Sequence, residues 1–203
     1  MTQSHYHALT KAPAANAPLV FAFHGTGGDE HQFPELVSQI LPDAGLVSPR
    51  GDVSENGALR FFRRAAEGVY DMADLARRTE KMAECIAAHK AAHPDSPVYA
   101  LGYSNGANIL ASVAFKQAEL FDRIALLHPL IPWTPDANPA LAGTGVLITA
   151  GRRDPICPFP MTEGLASYFS EQGAKLQTSF HDGGHEIRQP ELTALEAFLG
   201  APR

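Results

Sequence analysis

The stretch Gly102-Tyr103-Ser104-Asn105-Gly106 constrains this chain more than any other part of it. It follows an apolar run, Pro97-Val98-Tyr99-Ala100-Leu101, and leads into Ala107-Asn108-Ile109-Leu110-Ala111-Ser112-Val113-Ala114-Phe115, which reads as a helix. A G-x-S-x-G turn between strand and helix is so tight that a Cβ at either glycine would clash. The serine between them is forced into a strained backbone conformation, its hydroxyl raised at the carboxyl end of a strand. The pattern alone arises by chance in chains of ordinary composition. Its weight comes from the strand and helix around it, and from two suitable partner residues nearer the carboxyl terminus.

A serine held this way acts as a nucleophile once a base and an acid reach it, and in such folds the chain order is Ser, Asp or Glu, His. The strand-like Gly145-Val146-Leu147-Ile148-Thr149-Ala150-Gly151 ends in Arg152-Arg153-Asp154-Pro155. The run Lys175-Leu176-Gln177-Thr178-Ser179-Phe180 then leads into His181-Asp182-Gly183-Gly184-His185. Each candidate lies just beyond the carboxyl end of a predicted strand, where open α/β sheets gather their ligands. Asp154 is therefore the expected acid and His185 the expected base. By itself Asp154 would read as a solvated loop carboxylate; the elbow upstream gives it the catalytic reading. Asp182 is the rival acid, but it is so near His185 in sequence that only a tight local turn would bring them together.

Upstream, Pro18-Leu19-Val20-Phe21-Ala22-Phe23 reads as a buried strand that runs into His24-Gly25-Thr26-Gly27-Gly28-Asp29. An oxyanion hole needs backbone N–H groups aimed at the developing charge, and a glycine-rich turn lets the backbone approach closely. The expected donors are the N–H groups of Thr26 and Asn105, the latter being the residue after the nucleophile. A phosphate loop is the competing reading, but the Gly-Lys-Ser/Thr ending it requires is missing.

With these residues in view, the chain resembles the bacterial phospholipase/carboxylesterase group of small α/β-hydrolases, which is related to the acyl-protein thioesterases. The matching stretches are His24-Gly25-Thr26-Gly27-Gly28-Asp29-Glu30, Ser48-Pro49-Arg50-Gly51, Arg60-Phe61-Phe62-Arg63-Arg64, Leu101 to Asn108, Asp154-Pro155-Ile156 and Gly183-Gly184-His185. The elbow and the Gly-Gly-His are shared by many hydrolases, whereas the first and third stretches are more particular to this branch. The resemblance implies hydrolysis of an ester or thioester, no cofactor, and often a homodimer. It leaves the substrate open.

Composition fits a compact cytoplasmic enzyme. The length of 203 residues suits one domain spanning 1–203 with a sizeable core. The formal net charge of −6 speaks against nucleic acid as a partner, because phosphate binding needs a basic face. Two cysteines, Cys85 and Cys157, make no disulfide framework; Cys85 reads as core, and Cys157, close after Asp154, either lines the pocket or packs beside it. No apolar run reaches a membrane-spanning length and no signal sequence is legible, so membrane insertion and export are not expected.

The remaining elements alternate. An edge strand is expected over His5–Leu9, a helix over Glu30–Leu41, a strand over Ala44–Ser48 and a long helix over Asp71–His89. The stripe of that long helix is Met72, Leu75, Met82, Cys85 and Ile86. A strand over Arg123–Leu127, a proline-rich loop over Pro129–Thr144 and helices over Met161–Gln172 and Pro190–Leu199 complete the chain. Strands alternating with helices predict an α/β-hydrolase fold, a mostly parallel sheet of about seven strands covered on both faces. The loops are too short to build a cap domain.

Arg50–Tyr70 has no clear period and should emerge on the catalytic edge of the sheet. Its arginines, Arg64 in particular, either wall the substrate pocket and hold an anionic group, or pair with acids such as Glu67 and Asp71 or with a dimer partner. His128 ends a strand and either faces the pocket or caps the sheet edge. His24 is expected to brace the oxyanion loop, and His5, His7, His31, His89 and His93 to lie at the surface. His181 and His185 have the spacing of a helical metal pair, but the glycines between them argue against a helix and no third ligand is evident, so no metal site is expected. The chain thus reads as a serine hydrolase acting on a small-molecule ester. A peptidase, an amide or lactone hydrolase, and a non-catalytic ligand-binding relative remain as alternatives.

Overall fold

The computed structural model describes residues 6–202. Its seven-stranded sheet is built from β1 (Ala8–Lys11), β2 (Leu19–Phe23), β3 (Gly45–Pro49), β8 (Val98–Tyr103), β9 (Arg123–Leu127), β10 (Gly145–Gly151) and β11 (Lys175–His181). The spatial order is β1-β3-β2-β8-β9-β10-β11. All pairings are parallel except β1 with β3 at the edge. Between β3 and β8 lie two small antiparallel hairpins, β4 (Val53–Glu55) with β5 (Ala58–Arg60) and β6 (Arg64–Ala66) with β7 (Val69–Tyr70). The helices are α1 (Pro34–Ile40), α2 (Met72–Ala92), α3 (Asn105–Lys116), α4 (Phe159–Glu171) and α5 (Gln189–Gly200).

Side chains of a strand point alternately to opposite faces, so a parallel sheet covered on both sides reads as continuous apolar runs. In β2, Leu19, Phe21 and Phe23 join one core with Leu75 and Met82 of α2, Ile109 of α3 and Phe169 of α4. The intervening Val20 and Ala22 join a second core with Val37 of α1 and Leu195 and Phe198 of α5. The same alternation holds in β8, where Val98 and Ala100 face the first core and Tyr99 and Leu101 the second. Helices therefore cover both faces, as the alternation of elements predicts, and no cap domain forms among the described residues.

Several expected elements are displaced or altered. Pairing with β3 carries the edge strand through polar Thr10 and Lys11, so it runs Ala8–Lys11 rather than His5–Leu9; His5 lies outside the described residues. Helix α1 starts only at Pro34, because Asp29 closes a turn onto the His31 N–H and Glu30 is drawn to Arg50. The Arg50–Tyr70 segment is the pair of hairpins, whose strands are too short to show a period. In α2, capped by the Asp71 carboxylate, the stripe of Leu75, Met82, Cys85 and Ile86 is buried, while Met72 in the first turn is exposed. His89 is also not a free surface residue: it is half-buried, with its ring edge-on to Phe21.

Candidate active site

Ser104 occupies the turn between β8 and α3 with φ 52° and ψ −117°, a left-handed conformation that a non-glycine residue adopts only under constraint. Packing supplies the constraint. A Cβ on Gly102 would meet the backbone of Gly106 and Ala107, and one on Gly106 the carbonyls of Phe23 and His24, all closer than 3.0 Å. The first turn of α3 thus lies directly against the end of β2, and only glycine permits it.

The three sequence-derived candidates meet at the carboxyl edge of the sheet. Ser104 Oγ lies 2.9 Å from His185 Nε2, and His185 Nδ1 lies 2.7 Å from Asp154 Oδ2. With the Nδ1 proton donated to the carboxylate, Nε2 presents its lone pair to the serine hydroxyl. Asp154 Oδ1 accepts the backbone N–H groups of Ile156 and Cys157 at 2.8 and 2.9 Å. Burial alone would raise the pKa of Asp154, but the Cys157 N–H, the imidazoles of His128 and His185 and the Ile156 N–H together hold it below the ordinary value. The carboxylate is therefore ionised and fixed in orientation. Asp182 is exposed, and it is its backbone carbonyl that is held, by the Arg153 guanidinium.

Thr26 and Asn105 line a small cleft of about 20 Å³ over Ser104, together with Arg60, Arg64, Tyr70 and Cys157. The glycine-rich loop is braced as expected of His24: its Nδ1 lies 2.7 Å from the Gly25 carbonyl and its Nε2 accepts the Gly51 N–H at 2.9 Å. Burial lowers the pKa of His24, so the ring is neutral. Arg60, almost fully buried, donates to Thr26 Oγ1 at 2.8 Å. Asn105 Oδ1 accepts the Phe61 N–H at 2.7 Å, which joins the elbow to the same segment.

Of the expected pocket residues, Arg64 lines the cleft while its guanidinium is paired with Glu55, at 3.0 Å, and with Glu67. Asp71, its other expected partner, caps α2 instead. Cys157 lines the cleft, but its thiol donates to the His128 carbonyl at 3.3 Å and burial raises its pKa, so it is a neutral packing group. His128 does not face the cleft. It is 0% exposed, with φ 50°, and its Nδ1 lies 2.9 Å from the same Asp154 oxygen that faces His185. Its Nε2 lies 2.9 Å from Glu191 of α5, which is also 0% exposed. The sequence marks Glu191 only by its place three residues after Arg188 at a helix start, where its Oε1 accepts the Arg188 N–H. His181 and His185 form no three-ligand cluster with each other; His181 groups with His128 and Glu191, and His185 with His128 and Asp154.

A family model places the chain. Residues 5–191 match that of the dienelactone hydrolase family. The chain belongs to this family. It is 41% identical over 187 residues to MhqD of Bacillus subtilis (strain 168), a protein that carries a hydrolase name, covering 91% of this chain and 92% of that one. Its fold matches a protein of unknown function from Agrobacterium tumefaciens at 52% identity, with a TM-score of 0.93 and 98% of each chain covered. It also matches a carboxylesterase from Bacillus cereus at 32% identity and a TM-score of 0.90, covering 98% of this chain and 95% of that one. This member of the dienelactone hydrolase family is an enzyme, a hydrolase of the carboxylesterase type on an α/β-hydrolase fold. No helix of the described residues is long and apolar enough to cross a membrane.

Proposed function

We propose that the protein hydrolyses carboxylic esters or thioesters of short to medium acyl length through Ser104, His185 and Asp154. The observation that carries this reading is the unbroken chain of contacts, 2.9 Å from Ser104 Oγ to His185 Nε2 and 2.7 Å from His185 Nδ1 to Asp154 Oδ2. His185 removes the serine proton as Oγ attacks the acyl carbonyl, and Asp154 holds the ring and stabilises its charged form. The N–H groups of Thr26 and Asn105 receive the oxyanion. His185 then protonates the leaving alkoxide or thiolate. Water, deprotonated by the same ring, attacks the acyl-enzyme and releases the acid, restoring Ser104.

On this reading residues 1–203 act as one cytoplasmic domain, and the resemblance to small carboxylesterases implies that it needs no cofactor and belongs to a group whose members are often homodimers. Nitrophenyl esters of graded acyl length, assayed with the native enzyme and Ser104→Ala, test the reading. The native enzyme is expected to turn over the short esters, and the variant to lose on the order of 10⁴-fold or more in rate while keeping its fold. Full activity in the alanine variant, or fluorophosphonate labelling at a residue other than Ser104, would overturn it.

A further inference from the structure

Behind Asp154 lies a second buried set of titratable side chains that the acyl-transfer steps leave unused. His128, after β9, stands between Asp154 and Glu191, and all three are buried. Its Nδ1 is 2.9 Å from Asp154 Oδ2 and its Nε2 is 2.9 Å from Glu191 Oε2, the latter contact bent away from a straight hydrogen bond. Glu191 Oε2 also accepts the Thr149 hydroxyl at 2.5 Å, and Oε1 faces His181 Nε2 at 2.8 Å. Among the described residues neither Asp154 nor Glu191 forms an ion pair with a lysine or arginine.

The partners assign the protons. His181 Nδ1 accepts the Gly183 N–H at 2.9 Å, so a neutral His181 carries its proton on Nε2, toward Glu191. Glu191 accepts the Thr149 hydroxyl and the Arg188 N–H as a carboxylate does, and the His181 Nε2 proton faces it without the alignment of a hydrogen bond. Metal ligation by this cluster is disfavoured on the same ground, because His181 has already committed its lone pair to Gly183. His128 is left with a carboxylate oxygen against each ring nitrogen. A neutral ring would set a lone pair against one of those anions, and two carboxylates in a dry interior would lack a cation between them.

We propose that His128 is held as an imidazolium between Asp154 and Glu191, and that this buried charge positions Asp154 and tempers its field at His185. This deepens the triad reading and rests on it. The His128 and His185 rings are 5.2 Å apart, close enough for a charge on one to oppose protonation of the other. The buried charge thus offsets part of the field that Asp154 sets up at the His185 ring. His128 is a positioning residue, with no contact to substrate.

The other groups around His128 do not supply a competing charge. Tyr103 of β8 has its ring 5.8 Å away and burial pushes its pKa up to about 12; the Cys157 thiol is likewise raised by burial. Burial of His128 itself works against its charge, yet the bonds to Glu191 and Asp154 outweigh burial and raise its pKa overall. The pKa of Glu191 is lowered in spite of its burial, with the His128 and Thr149 bonds the main causes.

Nitrogen NMR of the histidine-labelled native protein tests the charge directly, and needs no activity. Both His128 nitrogens are expected to carry protons at neutral pH, and in Glu191→Gln the ring should lose one of them at lower pH than in the native protein. The pH profile of kcat/KM tests the consequence. In folded His128→Gln the acid limb should move to higher pH by about one unit or more, a tenfold loss on the acid side for each unit. A purely structural role would lower kcat without moving that limb. A neutral His128 in the native protein overturns the proposal whether or not the glutamine variant folds, and so does an unmoved acid limb in a folded variant. Either result leaves the triad standing, whereas an active Ser104→Ala would remove the triad and leave the His128 charge measurable.

Discussion

Asn105 Oδ1 accepts the backbone N–H of Phe61 at 2.7 Å, so the residue after Ser104 also holds the segment that walls the cleft. Phe61 is fully buried and packs edge-on to Phe23. Asn105→Ala would leave the Phe61 N–H unpaired in the interior, at a cost of about 1–3 kcal/mol. The backbone N–H of residue 105 would remain, so any loss of rate reports displacement of the wall rather than removal of an oxyanion donor. We expect a lower Tm and a drop in kcat/KM of about ten- to a hundredfold. Thermal unfolding and steady-state kinetics on one ester measure both, and an alanine variant of native stability would show that the bond is dispensable.

The choice of acid separates two carboxylates. Asp154 is buried and faces His185, whereas Asp182 is exposed and contributes its backbone carbonyl to Arg153. Asp154→Asn should cost orders of magnitude in kcat, about 10⁴ where the analogous change in a serine protease has been made. Asp182→Asn should change kcat little. Parallel assays of the two variants decide it, and the reverse order would reassign the acid.

Much of the fold, and the meeting of Ser104, Asp154 and His185 at one sheet edge, is legible in the chain because the signals are local: continuous apolar runs for parallel strands, glycines at the elbow, and one candidate after each strand end. What the chain conceals is which stretches hold each other. The loop at 24–30 meets 48–51 through Glu30 with Arg50 and His24 with Gly51. The same loop meets 60–64 through Thr26 with Arg60, and that segment meets the elbow through Phe61 with Asn105. Each contact depends on tertiary placement that no local pattern encodes. Glu191 is hidden for the same reason, since its chemistry comes from α5 docking against β10 and β11. His128 misleads because a residue just past a strand end points toward the cleft or away from it according to its backbone angles, and its positive φ turns it inward.

Glu30 and Arg50 form a two-pronged ion pair, with Arg50 Nε 2.6 Å from Oε2 and Nη2 2.8 Å from Oε1. The hydrogen bonds from Arg50 lower the pKa of Glu30 from 4.5 to about 2. A carboxylate depressed in the folded state stabilises the fold above its unfolded value, and that stability is lost as pH falls toward the folded value. The Tm difference between the native protein and Arg50→Ala should therefore be full above about pH 5 and shrink between about 4.5 and 2. A difference that stays constant down to pH 2 would mean that Arg50 acts through packing alone.

Substrate size depends on the scale of the walls. The cleft over Ser104 is walled by side chains such as Arg64, Glu67, Tyr70 and Leu130, and the hairpins between β3 and β8 and the loop before β10 supply no cap to deepen it. Each methylene buried contributes about 0.8 kcal/mol, so an open site gains from only the first few carbons of an acyl chain. We expect kcat/KM to rise over short acyl lengths and then level or fall, with no increase on emulsified lipid. A steady rise through long chains, or activation at a lipid–water interface, would show that side chains such as Arg64 and Glu67 swing aside to open a deeper channel.

Asp154 and His185 are kept in register by a close approach of two backbones. At the end of β10, Gly151 passes so near the loop carrying His185 that a Cβ there would overlap the Gly183 and Gly184 carbonyls, both backbone groups with no side chain to yield. The two segments are also stitched by the Arg152 N–H to the His181 carbonyl at 2.7 Å and the Arg153 N–H to the Gly183 carbonyl at 2.9 Å. Gly151→Ala must then push the His185 loop away from Asp154, and a displacement near 1 Å between catalytic groups costs on the order of a hundredfold. Gly143→Ala offers no fair comparison, because its φ of 84° would strain any side chain, but at Gly164 in α4 an added Cβ meets nothing within 4 Å. We expect Gly164→Ala to keep native kinetics with equal or higher stability, and Gly151→Ala to lose about a hundredfold or more in kcat, with any loss in KM smaller. Native kcat in Gly151→Ala would mean that the histidine loop adjusts without disturbing the catalytic contacts, and that this close approach of backbones is not what sets their geometry.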